Sequence, residues 1–173
     1  MSAKKQKHIK KYIFSKMITT RFAITQYLAE YLKGKYNTFD DSPISLPDSS
    51  DIYHLLWELM SKRPSDIGVV DSGNVFICLP DRRIGKDPQY YNYISSRAAK
   101  IFETKLEALF NAELHQRLDE NHSSSTPMCL VDVIHHMLSE YGIDSISEDA
   151  LKKNYYRWRE RTRQRKKRAY IRR

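Results

Sequence analysis

Residues 142–163 read Gly-Ile-Asp-Ser-Ile-Ser-Glu-Asp-Ala-Leu-Lys-Lys-Asn-Tyr-Tyr-Arg-Trp-Arg-Glu-Arg-Thr-Arg. This stretch holds a helix stop, a turn and a helix start. Gly142 supplies the C-terminal stop, because glycine enters the left-handed conformation that closes many helices without steric cost. Ser147 is placed as an N-cap, and Glu148 and Asp149 put negative charge at the positive end of the next helix dipole. Ile146 before the cap and Leu151 after it form a hydrophobic staple. A helix is therefore predicted from near Glu148. At about 100° per residue, Leu151, Tyr155 and Trp158 fall on one side, while Lys152, Lys153, Tyr156, Arg157 and Arg163 cluster toward the other. One face is suited to packing and the other to an anionic partner.

Upstream, Thr126-Pro127 offers a cap followed by proline, and Leu130, Val131, Ile134, Met137, Leu138 and Tyr141 share one helical face. A helix, a glycine-containing turn and a basic helix with an aromatic stripe resemble the helix-turn-helix class of DNA-binding unit over residues 128–165. The turn Gly142–Ile146 is longer than the three or four residues of the compact form, so the looser homeodomain-like or winged variants are the nearer analogues. The run Asn154-Tyr155-Tyr156-Arg157-Trp158-Arg159 is similar to the end of a homeodomain recognition helix. That resemblance implies Lys153, Asn154 and Arg157 as base readers, since Arg pairs bidentately with guanine and Asn with adenine. It implies Lys152, Arg159, Arg161, Arg163 and the run Arg165, Lys166, Lys167, Arg168 as phosphate contacts, with Tyr156 on the same surface.

Charge along the chain selects the same region. The 173 residues carry a formal net charge of +9, which resolves into +8 over residues 1–36, −10 over 37–150 and +11 over 151–173. An acidic body with two basic ends points to a polyanionic partner, nucleic acid above all. The N-terminal arm, residues 1–17, contains Lys4, Lys5, Lys7, Lys10 and Lys11 without an apolar period and is expected to track phosphates. No apolar run is long enough to span a bilayer. Ser15-Lys16 interrupts the short apolar Tyr12-Ile13-Phe14, against a signal peptide. These features place the chain in a cytoplasm or nucleoid, or within a virion. Cys78 and Cys129 each adjoin apolar runs and are read as buried free thiols.

The expected fold is mainly α with one small β-hairpin, a helical body joined to a C-terminal helix-turn-helix-like unit. In the body (18–120), Phe22, Ile24, Leu28, Tyr31 and Leu32 predict a helix over 20–33 with Gly34 as its stop. Pro43 and Pro47 mark a loop, and Ser50 or Asp51 caps a second helix over 51–63, closed by Pro64. Residues 67–70 and 75–79 are apolar runs around the turn-forming Asp71-Ser72-Gly73-Asn74 and predict the hairpin, about 67–79. Helices and hairpin in that order also fit a winged helix with 71–74 as the wing tip, but Asp71 and the absence of a cation there argue against docking on DNA. The loop 80–86 carries Arg82, Arg83 and Lys86. Asp87-Pro88 opens a long helix, about 88–120, whose apolar stripe suits the spine of the body and a homodimer contact. Residues 121–127 read as a linker, 128–163 as the module and 164–173 as a basic tail.

No glycine-rich phosphate loop, dinucleotide fingerprint or nucleophile elbow appears. His135 and His136 diverge on their helix, and the two cysteines lack partners at zinc-ligand spacing. Asp66, Asp71 and Asp81 are the residues a Mg²⁺-dependent nuclease would recruit, but turn formation explains them. The expectation is a non-catalytic DNA-binding protein without metal or cofactor. It would be a transcriptional regulator or an accessory factor for replication, recombination or packaging in a phage or mobile element. The alternatives are a virion or nucleoid structural protein without sequence preference, and an RNA-binding protein.

Overall fold

The computed structural model describes residues 17–36, 42–68 and 72–171, without the side chains of Lys166, Arg168, Ala169 and Ile171. The five arm lysines, and residues 69–71 of the expected hairpin, lie outside the described residues. The elements run β1 (Thr19–Phe22), α1 (Gln26–Lys35), α2 (Asp51–Leu59), β2 (Val75–Cys78), α3 (Ser96–His122), α4 (Leu130–Tyr141) and α5 (Glu148–Ile171). Among the described residues the fold is mainly helical with one two-stranded antiparallel sheet, as the sequence predicts. No helix among the described residues is long and apolar enough to cross a membrane.

The chain divides into two compact units that do not follow sequence order. Met1–Thr25 and Tyr36–Leu106 form the first, and Gln26–Lys35 with Glu107–Arg173 form the second. Helix α3 therefore contributes its N-terminal part to the first unit and its remainder to the second. The expected body and module, separated at 121–127, are corrected accordingly: the unit holding the C-terminal helices also takes in α1 and residues 107–122.

In the first unit the sheet pairs β1 with β2, Thr19 opposite Cys78 and Phe22 opposite Val75. The second strand of the predicted hairpin is present and pairs with Thr19–Phe22. Ile44 bridges the other edge of β2, donating to Phe76 O at 2.8 Å and accepting from Cys78 N at 2.9 Å. The turn-like tetrad has another use. The Asn74 side chain accepts from Ile24 N (3.0 Å) and donates to Ile24 O (2.8 Å), continuing the sheet by one rung. Gly73, at φ +146°, lies where a Cβ would come within 2.8 Å of Phe22 Cα.

The predicted helix 20–33 is likewise corrected to a strand followed by a helix from Gln26. Thr20, Phe22 and Ile24 are buried with exposed or half-buried residues between them, a period of two. Phe22, Ile24 and Leu28 fit helical spacing equally well, and only the β-branched pair Thr19-Thr20 separates the two readings. Gly34 does not stop α1, which runs to Lys35.

Helix α2 is capped as expected, with Ser50 Oγ accepting from Tyr53 N at 3.3 Å, but it ends at Leu59 instead of residue 63. Ser61 leaves to form an antiparallel bridge with Tyr93. Lys86 takes over the end of α2, its Nζ donating to the carbonyls of Trp57 (3.1 Å), Glu58 (2.5 Å) and Met60 (2.7 Å), as favours a cation at a helix C-terminus. The Tyr93 bridge also shortens the long helix. Asp87-Pro88 makes a single turn, Asp87 Oδ1 accepting from Gln89 N, and α3 starts only at Ser96 behind a Ser95 cap on Ala98 N. Phe102 stacks edge-on against Phe22 at 5.3 Å in the core of this unit.

In the second unit Leu28, Tyr31 and Leu32 of α1, Phe110, Leu114 and Leu118 of α3, Ile134 and Met137 of α4, and Leu151 and Tyr155 of α5 are buried. Part of the apolar stripe of α3, Phe110, Leu114 and Leu118, is covered within the chain, while Ile101 is exposed. Helix α4 opens at Leu130, later than Pro127, because the Asn121 amide holds the Met128 backbone in two hydrogen bonds. Gly142 ends it at φ +62°. Residues 164–171 continue α5, so the basic tail is helical rather than a separate extension. Cys78 is a buried free thiol, whereas Cys129, read as buried, is exposed because it lies outside the first turn of α4.

Candidate nucleic-acid interface

The site is built on α4, the turn 142–147 and α5. Ser147 Oγ accepts from Ala150 N at 3.3 Å, so the predicted cap is made. His135 of α4 meets Glu148 at 2.8 Å beside it. The turn itself is fixed by α1. Glu30 Oε2 accepts from Asp144 N (3.1 Å), Ser145 N (3.2 Å) and Ser145 Oγ (2.8 Å). Burial would raise the Glu30 carboxyl, but these hydrogen bonds outweigh it and the pKa is lowered. A third helix thus holds the turn between the two that carry the resemblance.

Helix α5 is held against α3 by its aromatic stripe. Tyr155 has no exposed surface, and its hydroxyl donates to Asp119 Oδ1 at 2.7 Å. Burial and then this carboxylate push the phenol up to about 12, so it stays a donor. Trp158 stacks on His115 with centroids 4.3 Å apart and planes 22° from parallel. Burial pulls the His115 pKa down, against the opposing Asn154 hydrogen bond and Asp119 charge.

The predicted contact residues separate by environment. Lys153, Tyr156, Arg157, Arg161, Arg163, Arg165 and Lys167 are exposed, while Lys152 and Arg159 are half-buried. Arg159 lies over the Tyr155 ring at 5.7 Å, and Arg163 is 3.9 Å from Glu160. Asn154, an expected adenine reader, is turned toward α3, where its Oδ1 accepts from His115 Nε2–H at 2.9 Å. A bidentate amide–adenine pair needs that oxygen. Among the described residues, Lys153, Arg157, Arg161 and Arg165 form no ion pair with a carboxylate. They recur every four residues along the helix.

Two recesses flank Trp158. One, of about 440 Å³, runs between α3 and α5, with Ala108, Asn111 and Ala112 on one wall and Arg157 and Arg161 on the other. The second, of about 670 Å³, gathers Arg159, Arg163 and Lys167 but also Asp119 and Glu160. The α3 wall and His115 were not foreseen. Their signal is a run at 108, 111, 112 and 115 that holds no carboxylate on a helix otherwise rich in acid. Among the described residues no three His, Cys, Asp or Glu side chains converge as a metal-binding group. No protein-family model, curated protein or solved structure matches the chain.

Proposed function

We propose that the protein binds duplex DNA through α5 without catalysing a reaction on it, as a regulator or as an accessory factor in replication, recombination or packaging. The observation carrying this reading is the row Lys153, Arg157, Arg161 and Arg165, exposed and unneutralised on a helix whose other side is anchored by Leu151 and Tyr155. Long cationic side chains on a helix fixed by its own core present charge at low ordering cost, which suits a groove of the duplex. The N-terminal part of such a helix reads bases, which assigns Lys153 and Tyr156 to base edges and the later cations to phosphates.

The test is selection of bound sequences from a random duplex pool, run with the full chain and with a variant carrying Gln at positions 153, 157, 161 and 165. Deleting α5 would not serve, because Leu151 and Tyr155 belong to the core. Binding should fall about 10³-fold between 50 and 200 mM salt if roughly six phosphates are neutralised. A flat salt response, or equal binding by the Gln variant, refutes the proposal. Enrichment of one sequence supports a regulator, binding without enrichment supports a packaging role, and preference for single-stranded RNA moves the protein to the RNA-binding class.

A further inference from the structure

We propose that the recess between α3 and α5 is a phosphodiester subsite, in which Asn111 of α3 faces Arg157 and Arg161 across a DNA backbone phosphate; this rests on the DNA-binding reading above. The two arginines stand one helical turn apart, are exposed, and line the same recess of about 440 Å³. The facing wall is where an intrachain carboxylate would ordinarily neutralise them. Helix α3 has such groups nearby in Glu107, Glu113, Asp119 and Glu120, yet positions 108, 111 and 112 are Ala, Asn and Ala. Two small side chains leave room for a ligand, and the amide of Asn111 supplies a donor without charge. The recess ends at the His115–Trp158 stack, where the low pKa of His115 keeps the imidazole uncharged and its Nε2–H committed to Asn154.

The ligand chemistry follows from these groups. Two guanidinium forks and an amide are donors that match phosphate oxygens, and no carboxylate lines the recess. The second recess next to Trp158 offers more cations, but Asp119 and Glu160 line it. An anion is therefore drawn to the carboxylate-free recess. The consequence for DNA docking is that α3, remote in sequence from the helix-turn-helix-like pair, touches the duplex backbone.

The experiment measures binding of the full chain to a random-sequence 20-base-pair duplex by fluorescence anisotropy across a salt series. Ala112→Glu places a carboxylate in the recess, Ala112→Gln fills the same space without charge, and Ser139→Glu adds the same charge on the exposed side of α4. Ala112→Glu is expected to weaken binding about tenfold or more and to lower the salt slope by about 0.9 for each phosphate that is no longer neutralised. Ala112→Gln, which narrows the recess without adding charge, should weaken binding less than Ala112→Glu, and Ser139→Glu should stay within about threefold of the parent. Asn111→Ala should weaken binding without altering the helical circular dichroism signal. Ala112→Glu binding no worse than Ser139→Glu overturns the subsite while leaving the DNA-binding reading intact. A parent chain that binds no duplex overturns both.

Discussion

The Tyr31 hydroxyl, on a side chain with no exposed surface, donates to Glu113 Oε2 at 2.7 Å. Lys35 and Arg117 meet the same carboxylate, and so does the Tyr141 hydroxyl, which ties α1, α3 and α4 to one group. Burial alone would raise the Glu113 pKa, but the Lys35, Tyr141 and Tyr31 hydrogen bonds outweigh it and hold the carboxyl down at about 2.

Glu113→Gln should therefore cost about 2 kcal/mol, the usual range for hydrogen bonds to a charged group. The pH dependence has a definite sign. The unfolded chain takes up this proton near the ordinary value of 4.5, and the folded chain only at about 2. The stabilisation is complete above the first value and is lost as pH falls through the second. Urea midpoints measured down the acid limb should flatten in the variant; an unchanged acid limb counts against the hub.

The His115–Trp158 stack makes a second titration visible. Burial lowers the His115 pKa below its usual 6.5, so its contribution to stability is present above that value and is lost as pH falls through the lower, folded one. Trp158 fluorescence should change with a midpoint below 6.5, and the step should vanish in His115→Gln. A midpoint at or above 6.5 would contradict the burial that separates the ring from water.

Two glycines in the second unit should respond to alanine in opposite order to simple expectation. Gly142 has φ +62° with nothing near its missing Cβ, so Gly142→Ala costs about 1 kcal/mol of backbone strain. Gly34 lies inside a helix, where alanine is favoured by about 1 kcal/mol. Its Cβ, however, would come within 2.6 Å of Tyr141 Cα. Separating two backbones costs about 2–3 kcal/mol, and Gly34→Ala should be the more damaging change in chemical denaturation.

Lys86→Met keeps the aliphatic stem and removes the ammonium from the three carbonyls ending α2. A loss of about 1–2 kcal/mol is expected. Hydrogen exchange localises it: protection should drop at the C-terminal turn of α2 and stay level in α5. Uniform protection would show that the carbonyls do not need this donor.

The parts of the fold legible in the sequence are those fixed by neighbours along the chain. Ser50 and Ser147 cap their helices, Gly142 closes α4, and Leu151 and Tyr155 share the buried side of α5. Partners distant in sequence were not legible. Val75–Cys78 reads as a strand on its own composition, but nothing in it points to Thr19–Phe22, more than fifty residues earlier, as a partner. Asn154 looks like a free polar side chain until His115, thirty-nine residues away, is placed against it. The cations of α5 were legible as a set; their division between an acid-free recess and a mixed one depends on which face of α3 they meet.

The membership of α1 in the second unit has a consequence for synthesis. After residues 26–35 leave the ribosome, their packing partners on α4 follow only about a hundred residues later, roughly 5–20 s at typical elongation rates. Until α3 and then α4 follow, the native cover of Leu28, Tyr31 and Leu32 is incomplete, and β1 similarly waits for residue 78. The nascent chain thus has to carry an apolar helix over that interval, a period in which a holding chaperone would find its substrate.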